Sequence, residues 1–221
     1  MGLFLATAIV PLLFGLWAQM RVKSTFKKYS HVAPRNGMTG ADAAAAVLRS
    51  SGLPNLAIRP VAGQLTDHYD PRNRTLNLSA DVGQASSLAA LGVAAHEAGH
   101  AIQDAKRYAP MRIRQALVPA ATVGQSLWFL PVVLGLMLGL TGLVTVGLIL
   151  FAVIVLFQLV TLPVEFDASR RALVALEGQG LLAADEVPGA RAVLNAAALT
   201  YIAGFVAALG QLVFFFLASR E

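Results

Sequence analysis

The chain has 221 residues, of which 57% are hydrophobic and only 13% charged, which places it outside the range of soluble globular proteins. It contains no cysteine, so disulfides and thiolate ligation of a metal are both excluded. The formal net charge of +5 is not a nucleic-acid signature: Arg21, Lys23, Lys27 and Lys28 follow directly on the first apolar run, where the positive-inside rule and anionic head groups account for them.

Residues 1–20 are uncharged and long enough at about 1.5 Å per residue to cross a ~30 Å hydrocarbon core. No basic segment precedes them, so we read a retained anchor, transmembrane helix 1, rather than a cleaved signal. His31, beside the basic collar, reads as membrane-surface decoration. Met38–Arg49 predicts a helix, with Thr39 as its cap, Asp42 completing a short capping box, and a stop at Ser50-Ser51-Gly52. Leu56–Val61 looks extended. Asp67–Ser79 looks like a hairpin turning at Asp70–Asn73, its second arm alternating as a half-buried strand does. An edge strand of such a sheet can align an extended peptide through main-chain hydrogen bonds.

The apolar run from Ser86 continues through Ala95-His96-Glu97-Ala98-Gly99-His100 to Ile102, with hydroxyls at its start that can cap a helix. Positions i and i+4 share a helix face, so His96 and His100 can reach one zinc ion. Glu97 then stands beside the open coordination position, where it can take a proton from water. Two histidines and a carboxylate on an otherwise apolar helix need a partner or a metal, which favours a site over solvated decoration.

From Leu117 to Pro163 no residue is charged, a length that fits a transmembrane hairpin dividing near Leu140-Thr141-Gly142. The run 197–218 makes a fourth span; three spans result if its Ala-rich start lies at the interface. Residues 21–116 hold thirteen of the seventeen lysines and arginines, and Arg170, Arg171 and Arg191 fall within 164–196, whereas only Arg220 would lie on the other side. Both segments are therefore expected to be cytoplasmic. The expected fold class is a mainly α integral membrane protein with about four transmembrane helices and a small α+β zincin-like (gluzincin) cytoplasmic domain.

Catalytic zinc normally has three protein ligands. Position 106, six residues beyond His100, is lysine, and no histidine follows His100, so the third ligand is a carboxylate or an upstream histidine. Two spans between His100 and Glu165 return the chain to the same side, and an acid at the lip of a span is costly without a partner. Glu165 is the expected third ligand. Pro163–Arg171 reads as a helix start, and Asp104, one turn past His100, as placed to orient a histidine.

The blocks His96–Gln103, Asp67–Arg72, Leu162–Ala172 and Leu194–Tyr201 together resemble the YugP-like family of bacterial membrane zinc metallopeptidases, over nearly the whole chain. The arrangement is also similar to HtpX-type and prenyl-protein (CAAX) proteases. The resemblance implies a neutral zinc peptidase of the bacterial plasma membrane. Those relatives place an aspartate four residues after the ligand glutamate, where this chain has Ser169, so either Asp104, Asp167 or Ser169 orients the histidines differently or they are held less firmly than in those relatives.

The expected activity is peptide-bond hydrolysis, with Zn2+ held by His96, His100 and Glu165, and with Glu97 as general base. His68 and Tyr201 are candidates for steadying the oxyanion. The expected partners are a peptide or protein substrate, free or membrane-attached, and the lipid bilayer, with no nucleic acid. The rival is a catalytically inactive zinc-binding membrane scaffold. Transport is disfavoured because the expected spans carry no ionisable residue.

Overall fold

The computed structural model describes residues 5–219. The first four residues of the expected anchor, and Arg220, lie outside the described residues. Two compact units emerge, one formed by 20–108 with 164–198, the other by 1–19, 109–163 and 199–221.

The first of these brings the chemistry-bearing residues together because its local signals are obeyed closely. A π-helical turn, Leu5–Ile9, and the start of α1 (Val10–Ser30) belong to the other unit; the rest of α1, whose last turn carries Lys27 and Lys28, belongs to this one. Helix α2 (Gly40–Ser50) starts at Thr39, whose side chain accepts from the Asp42 N–H while Asp42 accepts from the Thr39 N–H, completing the expected capping box. That hydrogen bonding holds the Asp42 carboxyl below its ordinary pKa. Ala43, Ala44, Val47 and Leu48 form the buried face of α2, which packs on α4.

Strands β1 (Ala57–Val61), β2 (His68–Asp70) and β3 (Thr75–Ser79) make a sheet of order β1-β3-β2. Between β2 and β3 the chain turns where expected, the Asp70 carboxylate accepting from the N–H groups of Arg72 and Asn73. One expectation is corrected. β3 is not half-buried but the central strand, parallel to β1 and antiparallel to β2, with Thr75, Leu76, Leu78 and Ser79 all buried. Strands β1 and β2 close its two edges and helices pack against the sheet, neither of which the periodicity of the hairpin could reveal. A single turn, α3 (Ala80–Gly83), then leads to α4 (Leu88–Ala105), capped by Ser87.

The other unit holds α5 (Ala109–Leu127), α6 (Phe129–Leu138) and parts of α7 (Thr141–Gly178) and α8 (Val187–Ala218). Helices α5 and α6 meet at Trp128 with a 41° bend. The Trp128 ring packs 4.5 Å from Phe151 and 5.6 Å from Phe215. Gly139, at φ 68°, ends α6 and lets α7 begin at Thr141, which is where the hairpin was expected to divide. Met137 (77% exposed), Leu130 and Ile149 (each 62%) turn large apolar side chains outward, as lipid-facing residues do.

Among the described residues, α7 and α8 are long and apolar enough to cross a membrane, and α5 with α6 adds a third span if the bent pair is counted as one. The expected helix start at Pro163 is also corrected: α7 runs through Pro163 without a break, at about 57 Å for its 38 residues. Proline in a helix interior removes one i to i−4 hydrogen bond but does not by itself end the helix. Glu165 and Asp167 are therefore not first-turn acids answering a helix dipole, and need another reason to be there.

Candidate metal centre

Helix α4 is the platform. Ser87 accepts from the Ala90 N–H at 3.1 Å, which fixes where the helix begins, and the i, i+4 spacing then turns His96 and His100 to one side. Their rings sit edge to face with centroids 4.7 Å apart. Nearly every other residue of α4 from Leu88 to Ile102 is a small or aliphatic buried group, so both imidazoles stand in an apolar surround.

Helix α7 supplies the carboxylate. It can lie against α4 because Gly99 has no side chain and Ala168 a small one. Glu165, only 2% exposed, places one oxygen 3.3 Å from the His96 Nε2 and 3.5 Å from the His100 Nε2. The three donor atoms lie within 4.8 Å of one another. Tetrahedral zinc with bonds of about 2.0–2.1 Å needs ligand atoms roughly 3.3 Å apart, so the donors fit the ion with little movement.

The other ring nitrogens are engaged as metal-binding histidines require. The His96 Nδ1 meets the Ser169 hydroxyl at 3.0 Å, and the His100 Nδ1 meets Gln103 Oε1 at 3.0 Å. Both Nε2 atoms are thereby directed at Glu165. Burial works against protonation of His100, but its hydrogen bond to Glu165 and the charges of Glu97 and Glu165 outweigh it and raise the pKa.

Glu97 is buried beside the cluster. Its Oε2 accepts from the main-chain N–H of Tyr69 at 3.1 Å, which joins the carboxylate to edge strand β2. Burial pushes the Glu97 pKa up, against the lowering influence of His96 and His100. A carboxylate so raised takes a proton more readily near neutrality.

The groups expected to orient the histidines are distributed differently from the sequence reading. Asp104 does not touch a histidine: it accepts from the Tyr69 hydroxyl at 2.9 Å. Burial first, then that bond, raises the Tyr69 phenol. Asp167 acts one step away, accepting from Gln103 Nε2 at 3.0 Å, and Ser169 alone of the three candidates contacts a ring. Gln103 is what the sequence reading passed over. An amide three residues after His100 on an otherwise apolar run was the available signal, and the structure buries it fully.

His68 is exposed on β2, its Nδ1 donating to the Thr66 carbonyl at 2.7 Å and its Nε2 accepting from Asn77 at 3.2 Å. It is outside the cluster of His96, His100 and Glu165. Tyr201 lies on the part of α8 that belongs to the other unit.

Residues 4–220 match a family model described as "Putative neutral zinc metallopeptidase". The chain belongs to this family. It is also 41% identical over 222 residues to the "Putative membrane protease YugP" of Bacillus subtilis (strain 168), an alignment covering 99% of each chain. No solved structure matches it. The family gives the metal as zinc, and His96, His100 and Glu165 form the group able to hold it. With its long apolar helices and a relative named for the membrane, the chain is a membrane protein of a peptidase family.

Proposed function

We propose that this chain is a zinc-dependent endopeptidase of the bacterial plasma membrane, working at its cytoplasmic face. The observation that carries the reading is the convergence of His96 Nε2, His100 Nε2 and a Glu165 oxygen at zinc-ligand spacing, with the buried Glu97 carboxylate next to them. Zinc in such a site supplies Lewis acidity, lowering the pKa of water and polarising a carbonyl.

The chain's own residues do the rest. His96, His100 and Glu165 hold the ion, and Glu97 accepts the proton of the attacking water and returns it to the leaving amine. The outer edge of β2, where Glu97 accepts from the Tyr69 N–H, is the edge that aligns an extended peptide. His68 and Tyr201 are the proposed sources of help to the oxyanion; of the two, His68 neighbours Tyr69 on β2. The apolar residues around the histidines keep bulk water from the proton transfer.

The topology proposed with this reading has four spans, at 1–20, across the hairpin 117–163, and at 197–218. Residues 21–116 and 164–196 then form the gluzincin-like cytoplasmic domain. The bias of lysine and arginine toward those two segments supports it. The substrate class is a peptide or protein, free or held at the membrane.

Zinc content and cleavage of an unfolded protein in detergent, measured for wild type, Glu97→Gln and Glu165→Ala, test the proposal. Wild type is expected to hold about one zinc and to cleave, Glu97→Gln to keep zinc and lose at least 10²-fold in rate, and Glu165→Ala to lose affinity for zinc. Full activity in Glu97→Gln would remove the general-base assignment. Zinc retained undiminished by Glu165→Ala would move the third ligand elsewhere.

A further inference from the structure

We propose that Gln103 is a positioning residue that dictates which nitrogen of His100 faces the metal, taking its own direction from Asp167; this rests on His100 being a zinc ligand.

The side-chain amide of Gln103 is wholly buried and makes three contacts. Its Nε2 faces the main-chain carbonyl of Val164 at 2.7 Å and the Asp167 carboxylate at 3.0 Å. A carbonyl can only accept, and a carboxylate ion-paired to both Arg170 and Arg171 can only accept as well. The amide therefore has a single satisfactory orientation: both N–H bonds point at α7 and Oε1 is left for His100. An acceptor at 3.0 Å requires the His100 Nδ1 to carry the hydrogen, which leaves the Nε2 lone pair turned toward the metal position.

Asp167, together with the Val164 carbonyl, thus selects the tautomer of a ligand that it does not touch. Arg171 steadies this end of the chain of contacts, its guanidinium lying 5.7 Å from the centre of the Tyr108 ring. The Ser169 hydroxyl on His96 has no such directing power, because a hydroxyl can donate or accept. The same amide has a second effect. Val164 immediately precedes Glu165, so Gln103 also ties the turn bearing the carboxylate ligand to the helix bearing both histidines.

The test is a zinc-affinity cycle on the full-length chain in detergent, at one pH, with melting of the metal-free protein recorded alongside. Gln103→Leu is expected to weaken zinc binding 10–100-fold, the range typical of residues that orient metal-binding histidines. Asp167→Asn, whose amide can present a donor where the carboxylate could only accept, is expected to weaken it in the same direction. Combined with Gln103→Leu it should add nothing. In a His100→Ala background Asp167→Asn should leave the remaining affinity unchanged. A merely structural role would instead lower the melting temperature of the metal-free protein and remain additive in both cycles. Additivity, or unchanged affinity in Gln103→Leu, overturns the proposal. If Gln103→Leu does not fold, the cycle is read from Asp167→Asn with and without His100, and an effect that survives without His100 overturns it equally. A wild-type chain that takes up no zinc would defeat the metal reading itself, a result distinct from a zinc-binding wild type with unaffected variants.

Discussion

A Cβ on Gly99 would stand 2.6 Å from the carbonyl oxygen of Ala168, so α4 and α7 meet here backbone to backbone. The contact lies one residue from His100 and three from Glu165, and sets the gap that the zinc ligands must close. Gly99→Ala is expected to cost on the order of 1–3 kcal/mol, because the oxygen it meets belongs to a helix backbone and cannot step aside. It should also weaken zinc binding by pushing the two helices apart. Thermal unfolding with and without zinc checks both, and wild-type values would show that the helices are free to adjust.

Zinc competes with a proton at His100. Its raised pKa means that the protonated ring, hydrogen-bonded to Glu165, stabilises the metal-free fold fully below pH 6.5, and that this contribution is lost as pH rises through the folded pKa. Zinc requires the neutral ring. The gain in melting temperature on adding zinc should therefore be small at pH 6 and grow from above pH 6.5 toward pH 8. An equal gain at both ends would mean that the Glu165 contact does not govern His100.

Ser169 stands where the resemblance would have an aspartate. Ser169→Ala should weaken zinc binding by about tenfold through loss of the contact to His96, whereas Ser169→Asp should strengthen it, since a carboxylate makes the ring a better donor. Competition with a chelator measures both. Weaker binding in Ser169→Asp would show that the cavity around His96 has no room for the larger side chain.

The Tyr69 hydroxyl ties β2 to the end of α4 through Asp104. Tyr69→Phe removes one hydrogen bond to a carboxylate that is partly solvated, and should cost about 1–2 kcal/mol while zinc content stays near one. If instead zinc were lost, Asp104 would be acting on the metal centre and not only on the strand.

Much of the site could be read from the chain because its signals are local. The spacing of His96, Glu97 and His100 means one thing on a helix, and Ser87 and the apolar run make that helix. Thr39 with Asp42, the turn at Asp70–Asn73 and the break before Thr141 are local in the same sense, each settled by hydrogen bonds or backbone angles within a few residues. Glu165 could be singled out by elimination, since few acids follow His100 and an acid beside a long apolar run needs a partner.

What the sequence by itself determined was the composition of a membrane protein, the helix that carries the histidines, and a short list of carboxylates and upstream histidines from which a third ligand could come. Tertiary structure alone decided that β3 is the central strand, that α7 passes unbroken through Pro163, that Asp104 serves Tyr69, and that Gln103 stands between His100 and Asp167. The physical reason is range. Helix faces, caps and turns depend on neighbours three or four residues away, whereas the partner of a buried polar group is whichever group the packing of distant segments brings within about 3 Å. Gln103 and Asp167 are sixty-four positions apart along the chain, and it is the close passage of Gly99 against Ala168 that makes them neighbours.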